Sequence, residues 1–195
     1  GSEMCIRDSY AYILNSELRA EIVSSFKKAC RSIPILRDQC VEDIALRLKS
    51  LHEKSSIWKV IEKADLVGVS ICLAQLASSL YFIKETKKRF PEKKVAVGGS
   101  AVAGKLGQSM LENVPEVDFV INGEGELPLL NLVKLLKNGA TDSENGVPGL
   151  IYRDTTGKAI FSECNQIESL ETLPVPDYDD YFLQLSRLPK LHNLI

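Results

Sequence analysis

The apolar positions of this chain change period near residue 64. From Tyr10 to Ser32 they recur at helical spacing, with Ile13, Leu18, Ile22, Phe26 and Cys30 forming one stripe among polar residues, the mark of an amphipathic helix. Asp38 to Glu53 repeats the pattern through Val41, Ile44, Leu48 and Leu51, and Ser56 is placed to cap a short third helix through Val60 and Ile61. Beyond Ala64, short apolar runs alternate with amphipathic stretches. Leu66 to Leu73 (LVGVSICL) is nearly continuous and rich in β-branched residues, as expected of a strand covered on both faces. Leu76 to Phe90 returns to helical spacing through Leu76, Leu80 and Ile83 until Pro91 stops it. Val95 to Gly99 reads as a second buried strand, Lys105 to Asn113 as a helix, and Val117 to Ile121 as a third strand. Glu126 to Leu136 reads as a helix closed by Asn138-Gly139.

Strands and helices alternating through short loops predict a parallel sheet with right-handed crossovers, a doubly wound α/β fold of Rossmann-like or flavodoxin-like kind. Gly149 to Glu163 has the pattern of a β-hairpin turning at Asp154 to Lys158 and laid on a sheet edge. Pro174, Pro176 and the string DYDDYF, Asp177 to Phe182, then read as a linker leaving the domain. Gly1-Ser2 looks like a cloning scar and MCIRDS like translated sequencing adapter, so Gly1 to Ser9 is set aside. The expected organisation is 1–9 artefact, 10–63 helical region, 64–165 α/β domain with hairpin, and 166–195 linker.

Composition narrows the partners more than the chemistry. Apolar residues make up 45% and charged residues 26% of 195, and 24 basic against 26 acidic side chains leave a formal charge of −2. That balance calls for neither a nucleic-acid nor a membrane partner. No run approaches the roughly 20 apolar residues of a membrane span, so a cytoplasmic location is expected. Five scattered cysteines, Cys5, Cys30, Cys40, Cys72 and Cys164, give no local metal-binding spacing and are expected as reduced thiols. His52 and His192 stand isolated, and Trp58, Tyr81 and Phe82 are expected to pack; Lys84, Lys87, Lys88 and Arg89 read as a solvated helix face.

In open α/β sheets ligands bind at the carboxyl ends of the strands. Three such ends are readable: Ser70 to Gln75, Gly98 to Gly104 and Asn122 to Glu126. The segment GSAVAGKL, Gly99 to Leu106, is one residue short of a P-loop, because Leu106 stands where a Ser or Thr would ligate magnesium. The turn also follows the second strand, not the first, and no later strand ends in a metal-binding acid, so a nucleotide hydrolase is disfavoured. The dinucleotide fingerprint GxGxxG is missing as well. Gly98-Gly99 marks a close backbone approach, either to a ligand or to a neighbouring strand. Gly123-Glu124-Gly125-Glu126 carries two carboxylates at a helix start, where they serve either as caps or as a polar clamp on hydroxyl or amide groups of a large ligand.

The order of these turns resembles the N-terminal cobalamin-binding domain of cobalamin-dependent radical S-adenosylmethionine enzymes, and more narrowly the radical C-methyltransferases that mature ribosomally made peptides. The likeness runs from about Ala64 to Gln184. It rests on Val67-Gly68-Val69-Ser70, Gln75, Ala77-Ser78-Ser79-Leu80, Phe90-Pro91, Gly98-Gly99, Leu106-Gly107, the VDFVI strand with its GEGE turn, PGLIYRD, and LPVPDYDDYF from Leu173 to Phe182. The resemblance implies that Ser70, Cys72, Gln75, Gly98, Gly99 and Ser100 hold the cobalamin nucleotide tail, and that Asn122, Gly123, Glu124, Gly125 and Glu126 lie under the corrin rim. It implies no catalytic residue and no metal ligand within the chain. Without an Asp-x-His-x-x-Gly context, cobalt would lack a protein histidine below it, a His-off state suited to passing on a methyl group. S-adenosylmethionine and a 4Fe-4S cluster would belong to a downstream radical domain, since no CxxxCxxC occurs before Ile195, and the precursor peptide would be the partner of the full enzyme. The family's first strand is also not recognisable upstream of Ala64. The alternative is a non-catalytic α/β module that binds a precursor peptide or another ligand.

Overall fold

The computed structural model describes residues 2–30, 40–138, 147–162, 171 and 173–187. Upstream of the sheet lie four helices: α1 (Ser2–Leu14), α2 (Arg19–Cys30), α3 (Val41–Glu53) and α4 (Ile57–Lys63). The stripe read as one helix from Tyr10 onward is broken between Leu14 and Arg19, because Asn15 and Ser16 favour turn hydrogen bonding over helix. Helix α1 also runs through the segment set aside as artefact, and Ser9 is buried. Ser56 precedes α4 without a side-chain cap; Ser55 Oγ instead accepts from the Ile57 N–H at 3.3 Å.

The α/β portion follows as β1 (Leu66–Ser70), α5 (Leu76–Arg89), β2 (Lys94–Gly98), α6 (Lys105–Asn113), β3 (Phe119–Ile121), α7 (Glu126–Lys137), β4 (Leu150–Arg153) and β5 (Ala159–Phe161). The five strands lie in the order β1-β2-β3-β4-β5. The first three pair in parallel, with Val67 opposite Val95 and Ala96 opposite Phe119, and the β4–β5 hairpin adds antiparallel beside β3. The expected α/β fold and its edge hairpin are therefore present.

Alternation along each strand sends side chains to two faces. Val67, Val95, Val97, Val120 and Ile151 meet Trp58 and Ile61 of α4, Ile83 of α5 and Leu111 of α6 on one face. On the other, Ala96, Phe119, Ile121, Leu150 and Tyr152 meet Leu132 of α7. Each fully buried Ile or Leu in these layers, such as Ile71, Ile83, Leu111 and Leu132, contributes roughly 1.5–3 kcal/mol. Helices thus cover both faces, but unequally: α7 reaches over β3 and β4, while Gly68 and Ser70 of β1 remain exposed. This departs from the expectation that the first strand is covered on both sides.

Polar clamps fix the ends of the sheet away from the glycine turns. Asp118 accepts from the Val95 N–H at 2.8 Å and pairs with Lys87 at 2.7 Å and Lys94 at 3.3 Å. Lys87 is thereby drawn out of the solvated face expected of it. Arg153 donates to the carbonyls of Leu111, Val114 and Val117, capping the end of α6 with a cation where the helix dipole favours one. Near the N-terminal helices, Tyr10 and Tyr81 each pack edge to face with His52, and Trp58 stacks on Phe82 at 5.6 Å under the Arg89 guanidinium. These aromatics pack, as their sequence context suggested.

Two compact units divide the chain, Gly1–Asn165 and Gln166–Ile195. Within the second, the segment read as a linker includes a helix, α8 (Asp179–Ser186), with Tyr181, Phe182 and Leu183 exposed. No helix among the described residues is long and apolar enough to cross a membrane.

Candidate functional site

The carboxyl ends of β1 and β2 are held together by main-chain hydrogen bonds that Gly99 permits, and the Asn122 side chain joins the end of β3 to them. Ile71, just past β1, donates its N–H to Gly98 O at 2.7 Å and accepts from the Ala101 N–H at 3.1 Å. Gly99 sits between them at φ 101°, ψ 175°, a region essentially reserved for glycine. A Cβ there would stand 2.7 Å from Ile71 O and 2.9 Å from Ile71 N. The close approach that Gly98-Gly99 signals is therefore, at Gly99, made to a neighbouring strand end. Gly104 then donates its N–H to Asn122 Oδ1 at 2.7 Å, and the Asn122 N–H donates to Gly149 O at 2.8 Å. Asn122 ties the second turn to the third.

These bonds also dispose of the P-loop likeness. Such a loop needs free amides to wrap phosphates, but Ala101, Val102, Gly104 and Gly107 donate theirs to Ile71 O, Gly99 O, Asn122 Oδ1 and Gly104 O. Lys105 simply begins α6.

Beside these turns lies a cleft of about 630 Å³, within the 300–1,000 Å³ range of ligand pockets. Gly68, Ser70, Ala96 and Gly98 form its floor on the sheet face that α7 leaves uncovered; Ile121 and Leu129 form a wall, and Gly99, Gly123, Gly125 and Glu126 the rim. Val69 and Val97, whose side chains belong to the opposite face, complete the lining. A Cβ on Gly68 would meet nothing within 4 Å, so the missing side chain is space given to the cleft. Further along the same face a second cavity, about 420 Å³, lies among Asp65, Leu66, Lys94, Val133, Leu136 and Lys137.

Of the residues singled out in the sequence, Ser70, Gly98, Gly99, Gly123, Gly125 and Glu126 come together in this cleft. Cys72, Gln75, Ser100, Asn122 and Glu124 stand at the same strand ends but outside its lining. Cys72 and Ser100 are exposed, and the Gln75 carbonyl accepts from Ser78 Oγ at 2.8 Å. The N-cap position of α7 is taken by Gly125, and neither glutamate occupies it. Gly68, Val69, Ala96, Val97, Ile121 and Leu129 were not anticipated as site residues. Their residue types are those of any core, and only the open face beside α7 makes them a site.

The lining carries one hydroxyl and one carboxylate among otherwise apolar groups, which suits binding better than acid–base chemistry. Groups with displaced acidity lie elsewhere. Burial lowers the His52 pKa, with Glu85 opposing and Arg89 assisting, and burial raises Tyr10 and Tyr81. His52 Nε2 lies 2.7 Å from the Tyr10 hydroxyl, a satisfied packing histidine. Among the described residues no group of three or more His, Cys, Asp or Glu side chains could hold a metal ion.

No protein-family model matches the chain. Over 127 residues it is 27% identical to an uncharacterized methyltransferase of Pyrococcus horikoshii, a match spanning 64% of this chain and 27% of that protein. In structure it is similar to the cobalamin-dependent S-adenosylmethionine radical enzyme OxsB with aqua-cobalamin and S-adenosylmethionine bound, with TM-score 0.52 and 24% identity over 67% of this chain. It is also similar to the same enzyme with aqua-cobalamin alone, at TM-score 0.51 and 22% identity. The chain spans 18% of OxsB in both comparisons. The likeness establishes the fold, a mostly parallel open α/β sheet of the kind that forms part of a cobalamin-dependent radical enzyme.

Proposed function

We propose that this chain is the cobalamin-binding part of a radical S-adenosylmethionine methyltransferase, and that cobalamin lies in the cleft between the glycine turns and α7. The observation that carries the reading is the shape and chemistry of that cleft. It opens at the carboxyl ends of parallel strands, its floor is cleared of side chains at Gly68 and Gly98, and Ile121 and Leu129 offer an apolar wall. Ser70, Glu126 and the main chain of Gly99, Gly123 and Gly125 supply polar partners at the rim. A bulky ligand with an apolar body and amide-bearing edges fits such a lining.

Cys72, Gln75, Ser100 and Glu124, at the same strand ends, would meet parts of the ligand that project from the cleft. Asn122 contributes by holding the second and third turns together. The reading assigns cobalt no protein histidine, because no Asp-x-His-x-x-Gly motif occurs in the sequence. When bound, methylcobalamin supplies the methyl group for transfer. The protein's residues here bind and orient; S-adenosylmethionine and the 4Fe-4S cluster are assigned to a companion radical domain. The PVPDYDDYF segment supports a ribosomally made peptide as the substrate, through its resemblance to peptide-maturing C-methyltransferases.

Titration of the purified chain with hydroxocobalamin, followed by desalting and absorbance spectroscopy, tests the reading. One retained cobalamin per chain is expected. Ser70→Phe, which places a ring in the cleft from an exposed position, should abolish retention while leaving the circular dichroism unchanged. Failure of the unmodified chain to retain cobalamin overturns the ligand, and equal retention by Ser70→Phe overturns the cleft.

A further inference from the structure

A cavity of about 400 Å³ lies where α1, α3 and α5 meet, and it shares no lining residue with the cleft. Tyr81, Lys84, Glu85 and Lys88 line it from α5 at positions i, i+3, i+4 and i+7, which helical geometry puts on one face. Lys49 and Glu53 line it from α3, also one turn apart, and Ile13 and Leu14 add apolar surface from the end of α1.

The charges in this wall do not use one another up. Glu85 takes both Lys88, at 3.4 Å, and Arg89, at 3.6 Å. Among the described residues, Lys49 and Lys84 have no ion-pair partner. Lys49 precedes Glu53 by four residues, the weaker order for a helical ion pair, and the two do not pair. Nor do the helix ends occupy them: the Ser50 and His52 carbonyls accept from the Lys54 and Ser55 N–H groups, and the Thr86 carbonyl from the Phe90 N–H.

The same wall holds a hydroxyl without a protein partner. Tyr81 is 6% exposed, and its ring packs against Tyr10 and His52. Among the described residues its hydroxyl makes no hydrogen bond, because His52 Nε2 is taken by the Tyr10 hydroxyl at 2.7 Å. A hydroxyl held this deep costs free energy unless something accepts from it, and the cavity that Tyr81 lines is the space in which an acceptor can meet it. Burial raises the Tyr81 pKa, with Glu85 and Glu53 adding to the effect, so the group keeps its proton and donates.

We propose that this cavity binds a small organic anion, a carboxylate or phosphate ester carried on an apolar body, through Lys49, Lys84 and the Tyr81 hydroxyl. Four cations against two carboxylates leave the wall positive, which sets the sign of the ligand. The groups left unpaired on Lys49, Lys84 and Tyr81 all donate, so they call for a head group rich in acceptor oxygens. Ile13 and Leu14 offer the apolar remainder of the ligand a surface to cover.

Isothermal titration calorimetry of the whole chain with phenyl phosphate, benzoate and inorganic phosphate, at fixed ionic strength and without any cofactor, tests the site. Saturable binding of phenyl phosphate or benzoate at one per chain is expected, and the tighter of the two identifies the head group. Lys49→Met and Lys84→Met keep the apolar stems and should each weaken binding about tenfold. Tyr81→Phe keeps the ring packing and should weaken it several-fold. Lys59→Met, on α4 and outside the cavity, should change nothing, and circular dichroism checks that every variant is folded. No saturable binding of either aromatic anion, inorganic phosphate bound as tightly as phenyl phosphate, full affinity in folded Tyr81→Phe, or a loss in Lys59→Met equal to those in Lys49→Met and Lys84→Met overturns the proposal. Should Tyr81→Phe not fold, the three lysine variants decide.

Discussion

Replacing Gly99 by alanine asks how much of the fold depends on one missing side chain. At φ 101°, ψ 175° any residue with a Cβ is strained by about 1–3 kcal/mol. The new methyl would also lie 2.7 Å from Ile71 O and 2.9 Å from Ile71 N, so the two turns must part. Parting loses the Ile71–Gly98 and Ala101–Ile71 hydrogen bonds, of 2.7 Å and 3.1 Å, at about 1 kcal/mol each. The total, roughly 3–5 kcal/mol, is a large share of the 5–15 kcal/mol that stabilises an ordinary domain. Gly157→Ala serves as the control. It has a comparable φ of +83° in the hairpin turn, but nothing lies within 4 Å of the new Cβ, so the cost is about 1–2 kcal/mol. Urea unfolding followed by circular dichroism, with equal slopes for all variants, measures both. A Gly99→Ala loss no larger than that of Gly157→Ala would refute the claim that Ile71 and Gly99 are locked together.

Two further outcomes are expected. Asn122→Ala leaves the Gly104 N–H without its acceptor and should cost about 1–3 kcal/mol with several-fold weaker hydroxocobalamin retention; Asn122→Asp, which keeps an acceptor oxygen, should restore most of both. Because burial depresses the His52 pKa in the folded chain, the folded state resists protonation more than the unfolded one, whose histidine titrates near 6.5. Stability from this site is therefore complete above about pH 6.5 and declines as pH falls through the lower folded value. Glu85 and Arg89 act on His52 with opposite signs, and Tyr10 and Tyr81 are its neutral neighbours. Thermal unfolding from pH 7.5 to 5, set beside His52→Phe, reads this; an equally steep decline in the variant would remove His52 from the account.

The sheet was legible because its strands are short apolar runs that stop at glycine or polar turns. Lys105 to Asn113 was read to the residue, since the glycine turn before it and Val114 after it bound a compact amphipathic pattern. The misread boundaries have local causes. LVGVSICL carries apolar residues past Ser70, yet the strand stops there because the Ile71 main chain turns to meet Gly98 and Ala101. Apolar periodicity continues from Ile13 to Leu18 across the break at Asn15, and Leu18 ends up exposed. The candidate cleft was legible at Ser70, Gly98, Gly99, Gly123, Gly125 and Glu126, but not at Gly68, whose place in a strand gives no sign of an open face. Asn122 was singled out for a ligand, but the structure gives its side chain to Gly104, a bond between turns 18 positions apart that spacing alone cannot reveal.

The two uses of glycine in this chain explain why the glycine turns looked like a damaged nucleotide site. At Gly99 the absent Cβ admits another main chain, and the amides nearby are consumed in holding the strand ends shut. At Gly68 the absent Cβ admits nothing from the protein itself, so the same economy of side chain leaves a floor. A phosphate loop needs open amides and a cation; the turn after β2 has spent the amides of Ala101, Val102, Gly104 and Gly107, and the cleft beside it keeps an apolar wall, one hydroxyl and one carboxylate. A ligand that fits this lining brings its own apolar surface, with hydrogen-bonding groups confined to the edges that would meet Ser70, Glu126 and the turns. Adding Leu129→Lys separates the alternatives: a cation on the wall should favour a phosphate ligand and disfavour an apolar ring system. Tighter binding of inorganic phosphate than of hydroxocobalamin by the unmodified chain would reverse that assignment.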